Sequence, residues 1–183
     1  MRDIVETVAE LDRAPSLHAA RLLILLHAFA GPHGQGSIDG LTKLAKLDFL
    51  LRYPVMLERA LKARSRSTRE VRLETHERQS VESQMVRYRF GPWDHRYRMF
   101  LNVLVGKGLA SISLEGRTIV ITLTESGFKC GCELATEAVF EPYVRRAKLL
   151  KNHLDLTATH LMRFIYDTFP EVVTLRSNEL IPT

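Results

Sequence analysis

The apolar and polar positions of the chain predict a mainly helical protein with one short strand-rich stretch. Over residues 86–90 apolar side chains alternate with arginines, which is the period-two pattern of a half-buried strand. Gly91 and Pro92 are expected to end this strand, and Pro92 suits the start of a helix because a first turn does not need its missing N–H. From Trp93 onwards the apolar residues recur at helical spacing. The predicted inward face of this helix comprises Trp93, Tyr97, Phe100, Leu101, Leu104 and Val105.

Two short runs rich in β-branched residues follow the predicted helix, over residues 109–114 and 118–123. Gly116 lies in the short link between them, and a tight glycine-containing link between such runs is typical of a β-hairpin. Thr124 then opens another predicted helix. The order helix, strand, short turn and strand resembles the third helix and the wing of a winged-helix domain.

The N-terminal third of the chain is predicted to be helical. Residues 1–13 form a weak amphipathic pattern, and residues 17–30, with Ser16 as the expected N-cap, are apolar nearly all round. A helix that is apolar on every side is usually buried within its domain. Residues 37–53 are the next predicted helix, which Pro54 ends or kinks into a further helix.

A strongly charged segment interrupts this pattern. Residues 62–83 contain almost no large apolar side chains but many basic and acidic ones. Such a composition cannot bury enough apolar surface to fold by itself. We therefore predict a solvated insertion that is mobile in the free protein.

The last third of the chain is again helical by its pattern, with helices expected over residues 128–152 and 157–169. Together these elements define the predicted fold class as α+β and predominantly helical. The prediction divides the chain into a winged helix-turn-helix domain over residues 1–127, which includes the charged insertion, and a helical extension over residues 128–183 that packs on it.

Composition and charge leave several classes of function open. The chain has 183 residues, 45% of them hydrophobic, which is enough for one compact domain with or without an extension. Its 26 basic and 21 acidic residues give a net charge of +5, an excess that allows an acidic partner such as nucleic acid without requiring one. Two cysteines are too few for a secreted disulfide scaffold, and no apolar run reaches the length of a membrane span. We expect a soluble, cytoplasmic protein with no membrane partner.

The sequence contains no recognisable catalytic constellation. The glycine-rich loop at residues 31–36 precedes no Gly-Lys-Ser/Thr sequence and follows no predicted strand, so a phosphate-binding loop is not favoured. Cys130 and Cys132 would need distant histidines, such as His153 or His160, to complete a zinc site, and apolar packing is their favoured role. We therefore predict a non-enzyme without catalytic residues, metal or cofactor. An enzyme that uses Cys130 or a histidine is the third hypothesis.

Basic residues cluster around the helix predicted to begin at Trp93. Over residues 84–107 five cations stand against one acid. Arginine contacts DNA phosphates, and it is equally favoured in protein interfaces because its planar guanidinium bonds carboxylates in pairs. The residues alone leave DNA binding and protein binding as equal alternatives. The candidate binding residues are Arg87, Arg89, His95, Arg98, Asn102, Lys107 and Arg117.

Three segments carry a resemblance to a known family: residues 41–54, residues 88–98, which include the sequence GPWDHRYR, and the predicted hairpin. They resemble the small middle component of bacterial ABC-three-component antiphage defence systems, a group that includes the small subunit of Lamassu-type systems. The likeness spans roughly residues 17–127 and contains no catalytic motif. No active residue is therefore carried over.

The resemblance implies a non-enzymatic adaptor that bridges an SMC-like (Rad50-like) ATPase and an effector, commonly a nuclease, in a complex that senses foreign DNA. Under this hypothesis the winged-helix core docks one partner, while the charged insertion or the C-terminal helices reach the other. Double-stranded DNA is a further candidate partner. The alternative from another class is a winged-helix transcriptional regulator that reads a major groove with His95, Arg98 and Asn102.

Overall fold

The computed structural model describes residues 14–74, 77, 85–88 and 91–181, so the predicted helix over residues 1–13 lies outside the described residues. Its α-helices are α1 (Pro15–Ala30), α2 (Leu41–Arg52), α3 (Pro54–Ala63), α4 (Tyr97–Gly106), α5 (Glu125–Leu134), α6 (Glu141–Leu154), α7 (Ala158–Thr168) and α8 (Pro170–Thr174). Its strands are β1 (Ser37–Asp39), β2 (Val86–Tyr88), β3 (Gly91–Trp93), β4 (Ala110–Glu115) and β5 (Thr118–Leu123). This predominantly helical architecture with small antiparallel sheets confirms the predicted α+β class.

The larger sheet has the strand order β1-β5-β4 and is antiparallel throughout. Its centre strand pairs Ile121 with Ile38 of β1 on one side and with Ile112 of β4 on the other. The predicted hairpin is confirmed as β4–β5. Gly116 closes its turn at a φ of 60°, a conformation that glycine adopts without a side-chain clash.

The smaller sheet corrects the prediction for the GPW segment. Gly91 and Pro92 do not end one strand and start a helix; with Trp93 they form β3, in which Trp93 lies opposite Val86 of β2. Gly91 has a φ of 116°, which residues with a side chain rarely adopt. The helix that was expected from Trp93 therefore begins at Tyr97.

α1 is the buried centre of the fold, as its apolar pattern predicts. Its side chains from Leu22 to Leu26 are all buried, and the helix contacts α2, α4, α5 and α6. Ser16 is not its N-cap, because α1 already begins at Pro15, and the N-cap residue Ala14 offers no side-chain hydrogen bond. α1 has 16 residues, and in the described part of the chain no helix combines the length and the apolar character needed to span a membrane.

The predicted helix over residues 37–53 is wrong in its first turn. Those residues form β1 instead, where Ile38 is buried and pairs with Ile121. Gly40 follows at a φ of 103°, which interrupts the backbone before α2 begins at Leu41. β1 forms because a strand far along the chain pairs with it, and local periodicity does not report such a contact.

The inward face predicted for α4 is largely confirmed. Val105 is the exception within the helix, since 41% of its surface is exposed. Trp93 lies outside the helix and packs edge-on against Tyr97, with the ring centroids 5.4 Å apart. The buried residues of α4 are Tyr97, Phe100, Leu101 and Leu104.

The charged insertion is solvated along most of its described length but is anchored at one point. α3 begins at Pro54 and ends at Ala63. Over residues 64–74 most side chains are exposed, whereas Val71 is buried in the core. The guanidinium of Arg146 on α6 donates to the carbonyls of Val71 and Arg72 at 3.2 and 3.5 Å, and to the Glu77 carboxylate at 2.6 and 2.7 Å. The described part of the insertion is therefore tied to α6 rather than free of the fold.

The C-terminal helices pack on the N-terminal ones around one hydrophobic cluster. α5 and α6 contact α1, and α7 contacts α2. Thr124 caps α5 by accepting a 3.0 Å hydrogen bond from the Gly127 N–H, which confirms a helix opening there. The proposed domain boundary after Gly127 falls inside α5, and α8 follows the helix that was predicted to be the last.

Candidate macromolecule-binding surface

A buried polar network holds α4 in place. The Tyr97 hydroxyl donates to Asp48 Oδ2 at 2.8 Å, and the same carboxylate accepts from Nε and Nη2 of Arg21 at 2.7 and 3.1 Å. Nη1 of Arg21 also lies 2.9 Å from Nδ1 of His18. All four side chains are buried, and burial together with the Asp48 charge raises the pKa of Tyr97. Since Asp48 belongs to α2 and Arg21 to α1, the network orients α4 against both helices.

A second cluster of charges shapes the turn before α4. Asp94 accepts from the backbone N–H of Arg96 at 2.9 Å, from Nη2 of Arg96 at 2.8 Å and from Nη1 of Arg52 at 3.0 Å. Burial by itself raises the pKa of Asp94, but the Arg96 hydrogen bonds and the charges of Arg96 and Arg52 outweigh it and lower that pKa. The Arg96 guanidinium lies 5.3 Å from the centre of the Phe100 ring. These contacts fix where α4 starts.

Two arginines near α4 are consequently neutralised within the chain. Arg52 and Arg96 both pair with Asp94, so their charges already have a partner. Within the GPWDHRYR segment, His95 and Arg98 are the exposed residues, and the other six are buried or half-buried. Most of the segment therefore supports the fold, and any contact that it makes with another macromolecule centres on these two side chains.

The exposed side of α4 carries further basic and polar residues. Arg98 and Asn102 lie one helical turn apart, His95 is in the turn before the helix, and Lys107 follows its last residue; all four are exposed. No aspartate or glutamate occurs from His95 to Leu114, and Arg98 and Lys107 form no ion pair with a residue that the structure describes. We call the surface formed by these four residues the cationic face. The charges of Arg98 and Lys107 suit an acidic partner.

The structure does not bring the other candidate residues onto the cationic face. Arg117 is exposed at the turn of the β4–β5 hairpin, so a strand length of about 17 Å separates it from the end nearest α4. Arg87 is half-buried in β2, where its N–H donates to the carbonyl of Glu179 at 2.8 Å and its carbonyl accepts from the Asn178 N–H at 2.7 Å. Arg89 lies outside the described residues.

The hairpin carries an apolar surface that the sequence analysis did not single out. Ala110, Ile112 and Leu114 share one face of β4, and their exposed fractions rise from 3% through 42% to 70% towards the turn. Ile112 lies opposite the buried Ile121, so the hairpin continues the apolar face of the core outwards into solvent. We call the β4 surface formed by Ile112 and Leu114 the exposed ribbon. The sequence does contain a signal for this surface, because apolar and polar residues alternate along β4 as far as the turn.

The exposed ribbon also lies on an edge strand. Among the described strands of its sheet, β5 is central and β4 is outermost. An edge strand presents backbone N–H and C=O groups that can pair with a strand of another chain. The combination of an open edge and two exposed apolar side chains therefore makes β4 a candidate for contact with a protein.

The residues considered for a zinc site are not brought together. The Thr157 hydroxyl lies 3.1 Å from Nδ1 of His160, whereas Sγ of Cys132 lies 3.4 Å from Nε2 of His27, a histidine that the sequence analysis did not consider. Within the described ranges no group of three or more His, Cys, Asp and Glu side chains is placed to hold a metal ion.

The cationic face and the exposed ribbon lie on consecutive elements, one of which is anchored by a buried network. One surface suits an acidic partner and the other suits an apolar strand. Comparison with known proteins finds no matching family model, no matching curated protein and no matching solved structure. The chemistry of the two surfaces is therefore the basis for assigning a function.

Proposed function

We propose that this chain is a non-enzymatic adaptor subunit of a bacterial antiphage defence complex, which bridges an SMC-like ATPase and an effector nuclease. Within this proposal the core is a winged helix, with α4 as its third helix and the β4–β5 hairpin as its wing. The cationic face contacts double-stranded DNA, and the exposed ribbon docks one protein partner. The resemblance of the GPWDHRYR segment and the hairpin to the small middle component of such systems motivates the assignment.

The order and pairing of the elements support a winged-helix core. α1, β1, α2, α4 and the hairpin occur in that order, and β1 joins the hairpin through β5 to give the order β1-β5-β4. In helix-turn-helix proteins the recognition helix presents exposed polar side chains to DNA. α4 presents Arg98 and Asn102, with Met99 and Val105 also exposed. α3 and the β2–β3 sheet stand between α2 and α4 as an insertion.

The single observation that carries the proposal is the presence of two chemically different surfaces on adjoining elements. An adaptor must hold different partners at the same time. On the cationic face Arg98 and Lys107 form no ion pair with a described residue, so phosphates can neutralise these two charges. A partner strand added to β4 would cover Ile112 and Leu114 and satisfy the open edge.

Co-purification from the native host tests the adaptor. The tagged chain should retain a large coiled-coil ATPase and a nuclease, both identified by mass spectrometry. The assembled complex should bind duplex DNA with little sequence preference and an affinity that falls with salt. Recovery of the chain without either partner would contradict the proposal.

A transcriptional regulator is the second candidate, and the spacing of Arg98 and Asn102 favours it. Arginine contacts guanine edges and asparagine contacts adenine edges in the major groove, and these two side chains lie one turn apart on an exposed helix. The isolated chain should then bind one duplex sequence about a thousandfold or more above random sequence. Selection from a random duplex library decides between the two: enrichment of a single motif favours the regulator, and uniform retention favours the adaptor.

A further inference from the structure

α1, α5 and α6 enclose a groove of about 550 Å3 that the proposed function does not use. Small-molecule sites in proteins commonly have this volume, and most are apolar with a few polar groups that orient the ligand. The groove has both features. Its apolar lining comes from Ile24, Ala28, Pro32, Phe128, Ala135 and Val144.

The charged groups that line the groove are positive. Lys148 and Lys151 of α6 contribute ammonium groups, and no described lining residue is acidic. Lys151 already pairs with Asp155 at 2.6 Å, whereas Lys148 is exposed and forms no ion pair with a described residue. The carbonyl end of α1 also borders the groove, but a helix end carries about half a charge. The full charge of Lys148 therefore sets the sign of the site.

His27 and Cys132 mark the wall between α1 and α5. Nε2 of His27 and Sγ of Cys132 are 3.4 Å apart. Gly131 permits this approach, because a Cβ at that position would lie 2.7 Å from the His27 ring. Burial, with a smaller contribution from Lys148, lowers the pKa of His27, so its imidazole is neutral near pH 7. The exposed Cys132 thiol lines the groove and can report whether the groove is occupied.

We propose that this groove binds a small amphipathic carboxylate, such as a medium-chain fatty acid, with its chain against the apolar lining and its head group beside Lys148. Charge complementarity selects this ligand class. A cationic ligand would meet two ammonium groups, and an uncharged apolar ligand would leave the Lys148 charge without a partner. The binding site is independent of the cationic face, since it lies on other helices.

Calorimetry on the full chain tests the proposal, with decanoate as the probe below its micellar concentration. Decanoate should bind saturably at one site, and decanol, which has the same chain without the charge, about tenfold more weakly. Lys148→Gln should weaken decanoate binding about tenfold and leave decanol binding unchanged. Lys129→Gln is the matched control, because Lys129 is exposed on α5 and does not line the groove.

Alkylation of Cys132 provides a second readout that locates the ligand. Saturating decanoate should slow the reaction of Cys132 with iodoacetamide several-fold in the wild type and in Lys129→Gln, as measured by peptide mass spectrometry. Equal affinities of the two lysine variants would overturn the proposal. So would the absence of saturable binding, or a Cys132 labelling rate that decanoate leaves unchanged.

Discussion

The hydroxyl of Tyr97 donates a 2.8 Å hydrogen bond to Asp48, and both side chains are buried. The same carboxylate accepts two hydrogen bonds from Arg21, so that one acidic group joins α1, α2 and α4. A buried charge is stable in a protein when it is paired and hydrogen-bonded. The cationic face depends on this arrangement, because it lies on the opposite side of the helix that Tyr97 anchors.

Tyr97→Phe should lower the free energy of unfolding by about 1.5–3 kcal/mol, since it removes a hydrogen bond to a buried carboxylate. Asp48→Ala should lower it by more, about 3–5 kcal/mol, because Arg21 is left buried without its acid. The double variant should lose less than the sum, as both changes affect one network. Urea denaturation measures all three variants, and strictly additive losses would speak against a shared network.

Lys46 should make stability depend on pH in the alkaline range. It is 2% exposed and donates to the carbonyl of Thr42 at 3.1 Å, and burial lowers its pKa from 10.5 to about 8. Between these two pH values the unfolded chain binds the proton more tightly than the folded chain does. The free energy of unfolding should therefore rise from pH 8 to 10.5 by about 3 kcal/mol, and this gain is lost as the pH falls back through that window.

Lys46→Met removes the titrating group and provides the comparison. The variant should be more stable than the wild type at pH 7, and the difference should shrink as the pH rises through the same window. Lys129→Met, an exposed lysine on α5, serves as the control and should follow the wild type. Guanidinium denaturation at a series of pH values measures the profiles, and parallel curves for wild type and Lys46→Met would refute the prediction.

Asp94→Asn should destabilise the protein at pH 7 by about 3–5 kcal/mol, because Arg52 loses the carboxylate with which it is buried. The folded-state pKa of Asp94 is lowered from its ordinary value of 3.8, so its stabilising contribution is present above that value and disappears as the pH falls below it. The gap between wild type and variant should accordingly narrow as the pH falls below that value. Thermal unfolding from pH 7 down to pH 2 checks this, and a gap that stays constant would count against the ion pair.

Arg98→Glu should weaken binding of duplex DNA by the assembled complex. It should also reduce the slope of log affinity against log salt concentration by about one, which corresponds to one fewer counter-ion released on binding. The reason is that Arg98 is exposed and forms no ion pair with a described residue, so phosphates can approach it. Arg163→Glu makes the same charge change on the exposed side of α7 and should have a smaller effect. Fluorescence anisotropy at several salt concentrations measures both, and equal losses would point to net charge rather than to the cationic face.

Leu114→Ser should leave the free energy of unfolding within about 0.5 kcal/mol of the wild type while it reduces co-purification of a protein partner. The side chain is 70% exposed, so the folded chain by itself gains little from it. Val139→Ser, which changes a 73% exposed apolar residue in the turn between α5 and α6, is the matched control. Full retention of the partners by Leu114→Ser would exclude the exposed ribbon as their docking surface.

Elements whose signal is local could be predicted closely. α1 is apolar nearly all round, and the β4–β5 hairpin has β-branched runs joined through Gly116, so nearby residues determine both. The first turn of the helix predicted over residues 37–53 could not be predicted in this way. Those residues become β1 because Ile121 pairs with Ile38, and the sequence around Ile38 contains no sign of that partner.

The candidate surface was predictable in part for the same reason. The exposure of Arg98 and Asn102 follows from helical periodicity, since the apolar positions define the opposite side of α4. The pairing of Asp94 with Arg52 as well as with Arg96 was not predictable, because Arg52 comes from α2. The rising exposure from Ala110 to Leu114 was not predictable either, because it depends on tertiary packing against β4.

Local sequence patterns were enough to locate most of the helices, the turn of the hairpin and the side of α4 that faces water, because each depends on residues a few positions apart. The tertiary structure alone decided which charges remain available to a partner. Whether an arginine is neutralised depends on a carboxylate brought close by folding. Asp48 pairs with Arg21 of α1, and Asp94 pairs with Arg52 of α2. Electrostatic pairing falls off over a few ångströms, so only three-dimensional proximity separates an arginine that supports the fold from one that can bind.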